Sequence, residues 1–182
     1  HLPLILKPEG SGKLSKRDGD RLGFPVFPLQ WKDPFTQEIS SGYRESGYFP
    51  ETVVNMLALL GWNPGTEKEL FSMEELIEAF SLERVGKSGS RFDPGKIKWF
   101  NHHYLVSKPV AELSALFNEI LVKKGIEADE EFIDKVVEQV KDRSDFIQDF
   151  WEQSYFFFEQ PGKYDTEMVK KKWKDDTPAL LR

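Results

Sequence analysis

The amino-acid sequence predicts a mainly α-helical protein, in which a short strand and loop region leads into helices and a helix bundle follows. Apolar residues recur at helical spacing in the second half of the chain, as in residues 113–121 and 132–140. Residue types that cap helices stand before several such stretches, and glycine or proline follows them. With 182 residues, 39% of them hydrophobic, the chain can bury one good core or two small ones.

The first half of the chain is predicted to hold one short strand, an irregular region and three helices. The stretch "HLPLIL" favours an edge strand that leads into a glycine-rich loop, and residues 22–49 are interpreted as an irregular loop or a small hairpin. Pro50 suits a first helical turn, a capping box predicts the second helix, and an Asp-Pro pair predicts the third. The residues behind these three predictions are an apolar stripe of Val53, Val54, Met56, Leu57 and Leu60, then Ser72 with Glu75, then Asp93 with Pro94.

The second half is predicted to be a bundle of helices. One helix follows Pro109 and ends near Gly125, a second is capped by Asp129, and a third opens at Ser144. The aromatic run "YFFF" at 155–158 is expected to fill the bundle interior. A basic amphipathic segment follows around residues 170–174.

Composition limits the classes of function. The chain contains no cysteine, which excludes disulfides, zinc ribbons and thiol catalysis. No apolar run approaches the roughly 20 residues needed to cross a bilayer, so we expect a soluble protein without a membrane partner. The absence of cysteine suits a reducing compartment, and we expect a cytoplasmic location. The net charge is −6, yet residues 83–108 carry six Lys/Arg against two acids. A local basic surface of this kind can still meet a polyanion.

The stretch "KPEGSGKLSKRDGD" is the first candidate site. Glycine-rich turns allow backbone amides to approach a phosphate, and nearby lysines supply positive charge. A P-loop is excluded, because Leu14 follows Gly12-Lys13 where Ser or Thr is required, and Lys7 occupies the place of the first glycine. On the pattern alone, a solvated surface turn remains an equal alternative.

Four ordered blocks resemble the class I aminoacyl-tRNA synthetases in their glutamyl-tRNA synthetase form. The first is "HLPLILKPEGSGKLSKRDGD", which resembles the lysine-serine-lysine signature. The others are "GYFPETVVNMLALLGW", "FSMEELIEAFSLERV" and "FDPGKIKWFNHHYL", in the family's order and approximate spacing. The resemblance covers residues 1–105.

The resemblance implies a role in forming glutamyl-adenylate from L-glutamate and ATP. Lys16 is then the main ATP contact, Lys13 and Arg17 support it, and Ser15 shapes the turn. Lys13 and Lys16 are the catalytic candidates. ATP and Mg²⁺ would be bound mainly by a Rossmann-like domain of the family that this sequence does not contain, and no metal ligand is predicted here.

The resemblance also implies binding of tRNA(Glu). Residues 1–106 correspond to the end of the catalytic domain and the stem-contact region, and residues 107–182 to an incomplete first anticodon-binding helical subdomain. The cations expected to contact tRNA in the stem-contact region are Arg84, Arg91, Lys96 and Lys98. The segment "VEQVKDRSDFIQDF" places the family's anticodon-reading arginine at Arg143. For each of these cations a plain solvated position is the alternative.

Several other features allow two interpretations. Trp99 and Phe100 could stack on bases, although helical spacing favours core packing. His102 and His103 are adjacent in sequence and diverge on a helix, so exposed or tRNA-facing positions are expected rather than a metal site. Residues 24–47 form a longer connection than in many family members, and they could cover the loop as a hydrophobic hairpin or add a contact surface.

We therefore expect the carboxy-terminal part of a glutamyl-tRNA synthetase truncated at both ends. Such a piece would be inactive alone and monomeric. Whether the parent enzyme also charges tRNA(Gln) is left open. The alternative is a noncatalytic helical module that binds protein partners, in which the lysine loop is only a turn.

Overall fold

The computed structural model describes residues 4–159, 162 and 166–173, except for the side chains of residues 16, 17 and 20. Helices dominate these ranges, which confirms the mainly α fold class. The helices are α1 Lys16–Leu22, α2 Pro50–Leu59, α3 Met73–Ala79, α4 Pro94–Ser107, α5 Val110–Lys123, α6 Glu130–Val140, α7 Ile147–Ser154 and α8 Thr166–Lys172. Short 3₁₀ turns cover Leu82–Arg84, Lys141–Arg143 and Tyr155–Phe157. Within the described ranges, no helix has both the length and the apolar character that a membrane crossing requires.

In the part of the chain that the structure describes, four two-residue strands form two small sheets. β1 (Ile5–Leu6) pairs in parallel with β4 (Ser90–Arg91), so that Leu6 lies beside Arg91. β2 (Trp31–Lys32) and β3 (Ile39–Ser40) pair antiparallel. The predicted strand before the glycine loop is therefore present, and the region 22–49 contains the small hairpin that was one of its two interpretations.

The predicted capping residues start three of the helices. The helix predicted to open at Ser144 begins only at Ile147, because the Ser144 hydroxyl donates to the Val140 carbonyl and caps no helix. The Ser72 hydroxyl accepts the Glu75 N–H, and the Glu75 carboxylate accepts the Ser72 N–H, at the start of α3. The Asp93 carboxylate accepts two backbone N–H groups at the start of α4, and the Asp129 carboxylate accepts one at the start of α6. Short polar side chains satisfy the free N–H groups of a first helical turn, which is why these positions were readable in the sequence.

Helix α1 was not predicted. It begins directly after Ser15, whose backbone N–H and hydroxyl both donate to the Asp18 carboxylate, and it ends at Gly23 in the left-handed conformation. The glycine-rich loop is thus followed by a helix that contains Lys16 and Arg17. Its start signal, Ser15 followed three residues later by Asp18, is present in the sequence.

Two larger cores meet at α4, and a small third cluster lies beside them. The bundle core contains apolar residues of α5, α6 and α7 together with Leu105 of α4. Ile97 and Phe100 of the same helix belong to the second core, which also contains Phe24 and Phe92. The third cluster consists of Trp62, Phe71 and Leu76. Helix α4 therefore packs against both the region that precedes it and the bundle of α5, α6 and α7.

The buried face of α2 differs from the predicted apolar stripe. Leu57 is exposed, whereas the polar Thr52 and Asn55 are fully buried. Both have hydrogen-bond partners inside the molecule: Thr52 donates to the side chain of Asn101, and Asn55 accepts the Phe71 N–H. Paired polar groups tolerate burial, so the periodicity of apolar residues alone misplaced the inner face.

The aromatic run at 155–158 does not fill the bundle interior as expected. Tyr155, Phe156 and Phe157 are exposed on a 3₁₀ turn, and only Phe158 packs inward, edge-on to Phe117. Four consecutive residues on a tight turn point in different directions, so they cannot all reach one core.

Candidate functional site

The glycine-rich segment forms a narrow antiparallel loop between residues 5 and 14. The Leu14 N–H donates to the Ile5 carbonyl at 2.8 Å, and the Lys7 N–H donates to the Gly12 carbonyl at 3.1 Å. Gly10 and Gly12 have positive φ values of 74° and 105°, which glycine adopts without a steric cost. The two glycines allow the chain to reverse direction within a few residues.

A single guanidinium group binds the carbonyl side of this loop. Nη1 of Arg91 lies 2.9 Å from the Lys7 carbonyl oxygen, 3.1 Å from that of Pro8 and 3.2 Å from that of Gly10. Arg91 was predicted to contact tRNA. Its Nη1 is engaged with the loop that contains the candidate catalytic residue Lys13.

The other end of the loop is attached to α1 through Asp18. This carboxylate is only 6% exposed, and it accepts the Ser15 hydroxyl at 2.6 Å and the Ser15 N–H at 3.0 Å. The Lys7 ammonium lies 3.1 Å from its second oxygen, and Arg21 lies 3.4 Å from the same atom. The Ser15 hydroxyl and the Lys7 ammonium lower the pKa of Asp18 to about 2, so the carboxylate is ionised near neutral pH.

The predicted ATP-contacting residues lie together at the end of the loop and the start of α1. Lys13 is exposed and pairs with Leu6 in an antiparallel bridge. Ser15 is the residue before α1, and the backbones of Lys16 and Arg17 form its first turn. The side chains of Lys16 and Arg17 lie outside the described part of the structure.

Besides Arg91, two more of the cations predicted to bind tRNA have hydrogen-bond or ion-pair partners within the chain. Arg84 donates from Nη1 to the Pro64 carbonyl oxygen, and Lys96 forms an ion pair with Glu69. Lys96 also lies over the Phe100 ring, 5.8 Å from its centroid. Both side chains are therefore oriented by these contacts.

Lys98 and Arg143 are exposed, and both adjoin the same turn. Lys98 lies over the ring of Phe146, with Nζ 5.7 Å from its centroid. Arg143 is the last residue of the 3₁₀ turn Lys141–Arg143, and residues 143–146, called the 143–146 turn below, lead from it to α7. The Arg143 side chain is exposed. Lys96 and Lys98 are two residues apart on α4, so they lie on different sides of the helix and do not form one patch.

The backbone around Arg143 is held from several directions. Gln153 donates to the Arg143 carbonyl and to the Ser144 hydroxyl, at 3.2 and 2.8 Å. Nδ1 of His102 lies 2.8 Å from the Ser144 carbonyl oxygen, which requires the proton on that nitrogen. Asn101 donates to the Asp145 carbonyl at 2.7 Å. Arg143 is thus displayed by a turn whose backbone has little freedom.

The aromatic and histidine residues at 99–103 of α4 differ in their exposure and in the neighbours that they face. Phe100 is buried, as core packing predicted, but Trp99 is 48% exposed and the prediction of core packing is wrong for it. His103 is exposed and lies beside Trp99, whereas His102 faces the 143–146 turn. Among the described residues, no group of three or more His, Cys, Asp or Glu side chains could hold a metal ion.

The long connection at residues 24–47 is buried at its base and exposed at its tip. Phe24 packs against Phe92 with ring centroids 4.7 Å apart, whereas Phe35 is 93% exposed. The base therefore belongs to the core beside the glycine loop.

Sequence reasoning missed the residues that hold the site. Asp18 had a readable signal in its spacing from Ser15, but Lys7 and Asn101 had none, since their partners are far away in the sequence or are backbone groups. Contacts of this kind are decided by tertiary packing and have no local pattern.

Comparison with known proteins connects this geometry to a family. Residues 1–99 match the model of tRNA synthetases class I (E and Q), catalytic domain, and residues 109–182 match that of an anticodon-binding domain. A glutamate–tRNA ligase of Flavobacterium johnsoniae is 58% identical over the whole chain, and one of Porphyromonas gingivalis is 59% identical. The chain spans about 36% of the length of these curated relatives.

Solved structures show the same similarity. A crystal structure of a glutamate tRNA ligase from Elizabethkingia meningosepticum, in complex with its amino acid, matches the whole chain with a TM-score of 0.91 and 45% identity. A glutamate-tRNA synthetase from Elizabethkingia anophelis matches 94% of the chain with a TM-score of 0.88 and 47% identity. The chain covers 36% and 34% of those two proteins.

Proposed function

The chain belongs to the class I tRNA synthetases of the E and Q type, and we propose that it supplies the ATP-contacting loop and a tRNA-binding surface of a glutamate–tRNA ligase. The reaction of the whole enzyme is the ATP-dependent attachment of L-glutamate to tRNA(Glu) through glutamyl-adenylate. The identity of about 58% to curated glutamate–tRNA ligases over the whole chain supports glutamate as the amino acid.

The proposed contribution to chemistry is electrostatic. When the glutamate carboxylate attacks the α-phosphate of ATP, pyrophosphate leaves and negative charge builds on the phosphoryl oxygens. Cations that reach these oxygens only in the transition state lower the barrier more than they tighten ATP binding. Lys16 is the proposed main contact, and Lys13 and Arg17 are proposed to support it. Ser15 stands directly before α1, whose first turn contains Lys16 and Arg17.

We propose that most of the residues that bind ATP and Mg²⁺ belong to parts of the enzyme outside this chain. This chain's own residues would contribute cations toward the phosphates, and the exposed Lys13 fits that role. We place the enzyme in the cytoplasm as a monomer, with tRNA(Glu), ATP and L-glutamate as its partners. The domain division at residues 106 and 107 is part of this proposal.

The proposed tRNA contacts are of two kinds. Arg143 is proposed to read an anticodon base, because an exposed guanidinium on a firmly held turn can donate two hydrogen bonds to a base edge in a defined direction. Lys98 lies on the face of α4 next to the 143–146 turn, and it is proposed to contact the phosphate backbone of the tRNA. Arg84, Arg91 and Lys96 remain candidates for phosphate contacts, although each already has a partner in the chain.

One observation carries the proposal. The same chain contains the "KLSKR" segment, which runs from the tight glycine loop into α1, then helix α4 with its lysines, and then the turn that displays Arg143. The test is charging of tRNA(Glu) with labelled L-glutamate by the full-length ligase that contains this chain. We expect ATP-dependent glutamylation. Transfer of another amino acid, or no transfer in the presence of a correctly folded enzyme, would refute the proposal.

The second candidate function is a noncatalytic helical module that binds protein partners, and the exposed Phe156 and Phe157 favour it. Filter binding of this chain to tRNA at low and moderate salt separates the two functions. Saturable retention that is selective for tRNA over other RNA, and that weakens as salt rises, supports the ligase proposal. No retention at any salt concentration supports the module.

A further inference from the structure

Arg91 links the ATP-contacting loop to the helical region that follows it. It lies at the end of β4, in register with Leu6 of β1, and the glycine loop begins at the next residue. From this position its Nη1 contacts the carbonyl oxygens of Lys7, Pro8 and Gly10 at 2.9, 3.1 and 3.2 Å. One side chain from residue 91 thus binds three peptide groups some 80 residues earlier in the chain.

A cation stabilises three carbonyl oxygens that converge on one point. Each oxygen has partial negative charge, so the three repel one another unless a positive donor lies among them. The positive φ of Gly10 helps to turn its carbonyl toward this point. Removing the guanidinium therefore favours loop conformations in which the carbonyls point apart toward water.

We infer that Arg91 is a positioning residue for adenylate formation: by binding the carbonyls of residues 7, 8 and 10, it sets the place of Lys13 and of the first turn of α1. This inference rests on the proposed function of the loop. It assigns Arg91 a role other than the expected contact with a tRNA phosphate.

The loop is well suited to transmit such positioning. Lys13 follows Gly10 by three residues, and the Leu14 N–H bond to Ile5 closes the loop next to it. Lys7 contributes a carbonyl to Arg91 and an ammonium to Asp18, so the same residue also attaches the loop to α1. A displacement of the loop carbonyls therefore shifts the cations that act on ATP.

The test uses the full-length ligase with Arg91→Ala and Arg91→Lys. Arg44→Ala is the matched control, because Arg44 is an exposed arginine between β3 and α2 that lies outside the proposed site. Glutamate-dependent ATP–pyrophosphate exchange is measured with tRNA(Glu) at saturation, so that weakened tRNA binding does not affect the rate. The kcat and the KM for ATP are determined separately.

We expect Arg91→Ala to lower kcat by roughly 10- to 100-fold, as for small misplacements of catalytic groups. The KM for ATP should change by less than about twofold, because the lost interaction acts in the transition state. Arg91→Lys should recover part of the rate, since an ammonium keeps the charge and three donors but lacks the fork of the guanidinium. Arg44→Ala should match the wild type.

Hydrogen exchange supplies a readout that does not depend on activity. The amides of Lys7 and Leu14 donate within the loop, and they should exchange faster in Arg91→Ala than in the wild type and the Arg44→Ala control. Amides of α5 and α6, in the bundle core, serve as the internal reference and should be unchanged.

A different set of results would overturn the inference. If Arg91→Ala keeps the wild-type kcat and loop exchange but binds tRNA with a salt slope lower by about one, Arg91 is a phosphate contact instead. A wild-type ligase without glutamate-dependent exchange would refute the proposed function. In that case the amide exchange alone still decides whether Arg91 holds the loop.

Discussion

The Lys7 ammonium lies 3.1 Å from the carboxylate of Asp18, and this ion pair joins the start of the glycine loop to the helix that follows it. The carboxylate is almost completely covered, and it also accepts two hydrogen bonds from Ser15. The candidate ATP loop is therefore held at both ends, by Asp18 on α1 and by Arg91 on β4.

The stability contributed by Asp18 should depend on pH. The Ser15 hydroxyl and the Lys7 ammonium lower the pKa of Asp18 from 3.8 to about 2. Because the folded-state pKa lies below the unfolded one, the ionised group stabilises the fold above pH 3.8, and this contribution is lost as the pH falls toward 2. Asp18→Asn should thus lower the Tm at pH 7, and the difference from the wild type should shrink between pH 4 and 2.

Thermal unfolding followed by circular dichroism at stepped pH values measures this difference. Asp142→Asn is the control, because Asp142 is an exposed carboxylate. This substitution should change the free energy of unfolding by no more than about 0.5 kcal/mol. A Tm deficit of Asp18→Asn that is as large at pH 2.5 as at pH 7 would show that the charge of Asp18 is not the cause.

Lys16→Ala should reduce glutamate-dependent ATP–pyrophosphate exchange of the full-length ligase by roughly 10²–10³-fold, the usual effect of losing one transition-state donor. Affinity for tRNA should change far less, because Lys16 is proposed to act on the phosphates of ATP. Lys135→Ala is the control, since Lys135 is exposed on α6 and pairs only with Glu131 of the same helix among its described ion pairs. Unchanged exchange would remove Lys16 from its proposed role.

Arg143→Gln should relax the preference for the anticodon of tRNA(Glu). A bidentate pair between a side chain and a base is worth about 1–3 kcal/mol of discrimination, so the ratio of kcat/KM for the cognate tRNA to that for an anticodon variant should fall about tenfold or more. Steady-state aminoacylation of the two tRNAs measures this ratio. Arg44→Gln should leave it unchanged, and equal selectivity of Arg143→Gln and the wild type would contradict the assignment.

Asn101→Ala should destabilise the fold strongly. The fully buried Asn101 accepts the Phe49 N–H and the Thr52 hydroxyl, both at 2.9 Å, and donates to the Asp145 carbonyl. Truncation leaves these groups without their partner, at about 1–3 kcal/mol for each buried group that stays unpaired. We therefore expect the free energy of unfolding to fall by about 3 kcal/mol or more.

Urea unfolding is the measurement for Asn101→Ala. The matched control is Asn118→Ala on the exposed face of α5, which should change the free energy of unfolding by no more than about 0.5 kcal/mol. Equal effects of the two substitutions would mean that the buried network around Asn101 contributes little.

Local sequence signals predicted where most helices start, but they were less reliable in predicting which face of a helix is buried. Ser72, Asp93 and Asp129 start their helices as predicted, because a cap is an interaction among a few neighbouring residues. The face of a helix that is buried depends on what packs against it, and so Leu57 and Trp99 proved exposed although their spacing predicted burial. Helix α1 shows that a local signal can also be overlooked.

The sequence by itself determined the fold class, most helix boundaries and the order of the blocks that resemble the synthetases, because periodicity, capping and short motifs are properties of neighbouring residues. Only the tertiary structure decided that Arg91 binds the carbonyls of the glycine loop and that Asn101 and His102 hold the turn next to Arg143. These contacts join residues about 40 to 85 positions apart, and their acceptors are backbone carbonyls, which every residue type carries. No residue pattern records such a pairing, so it becomes visible only when the strands and helices are packed together.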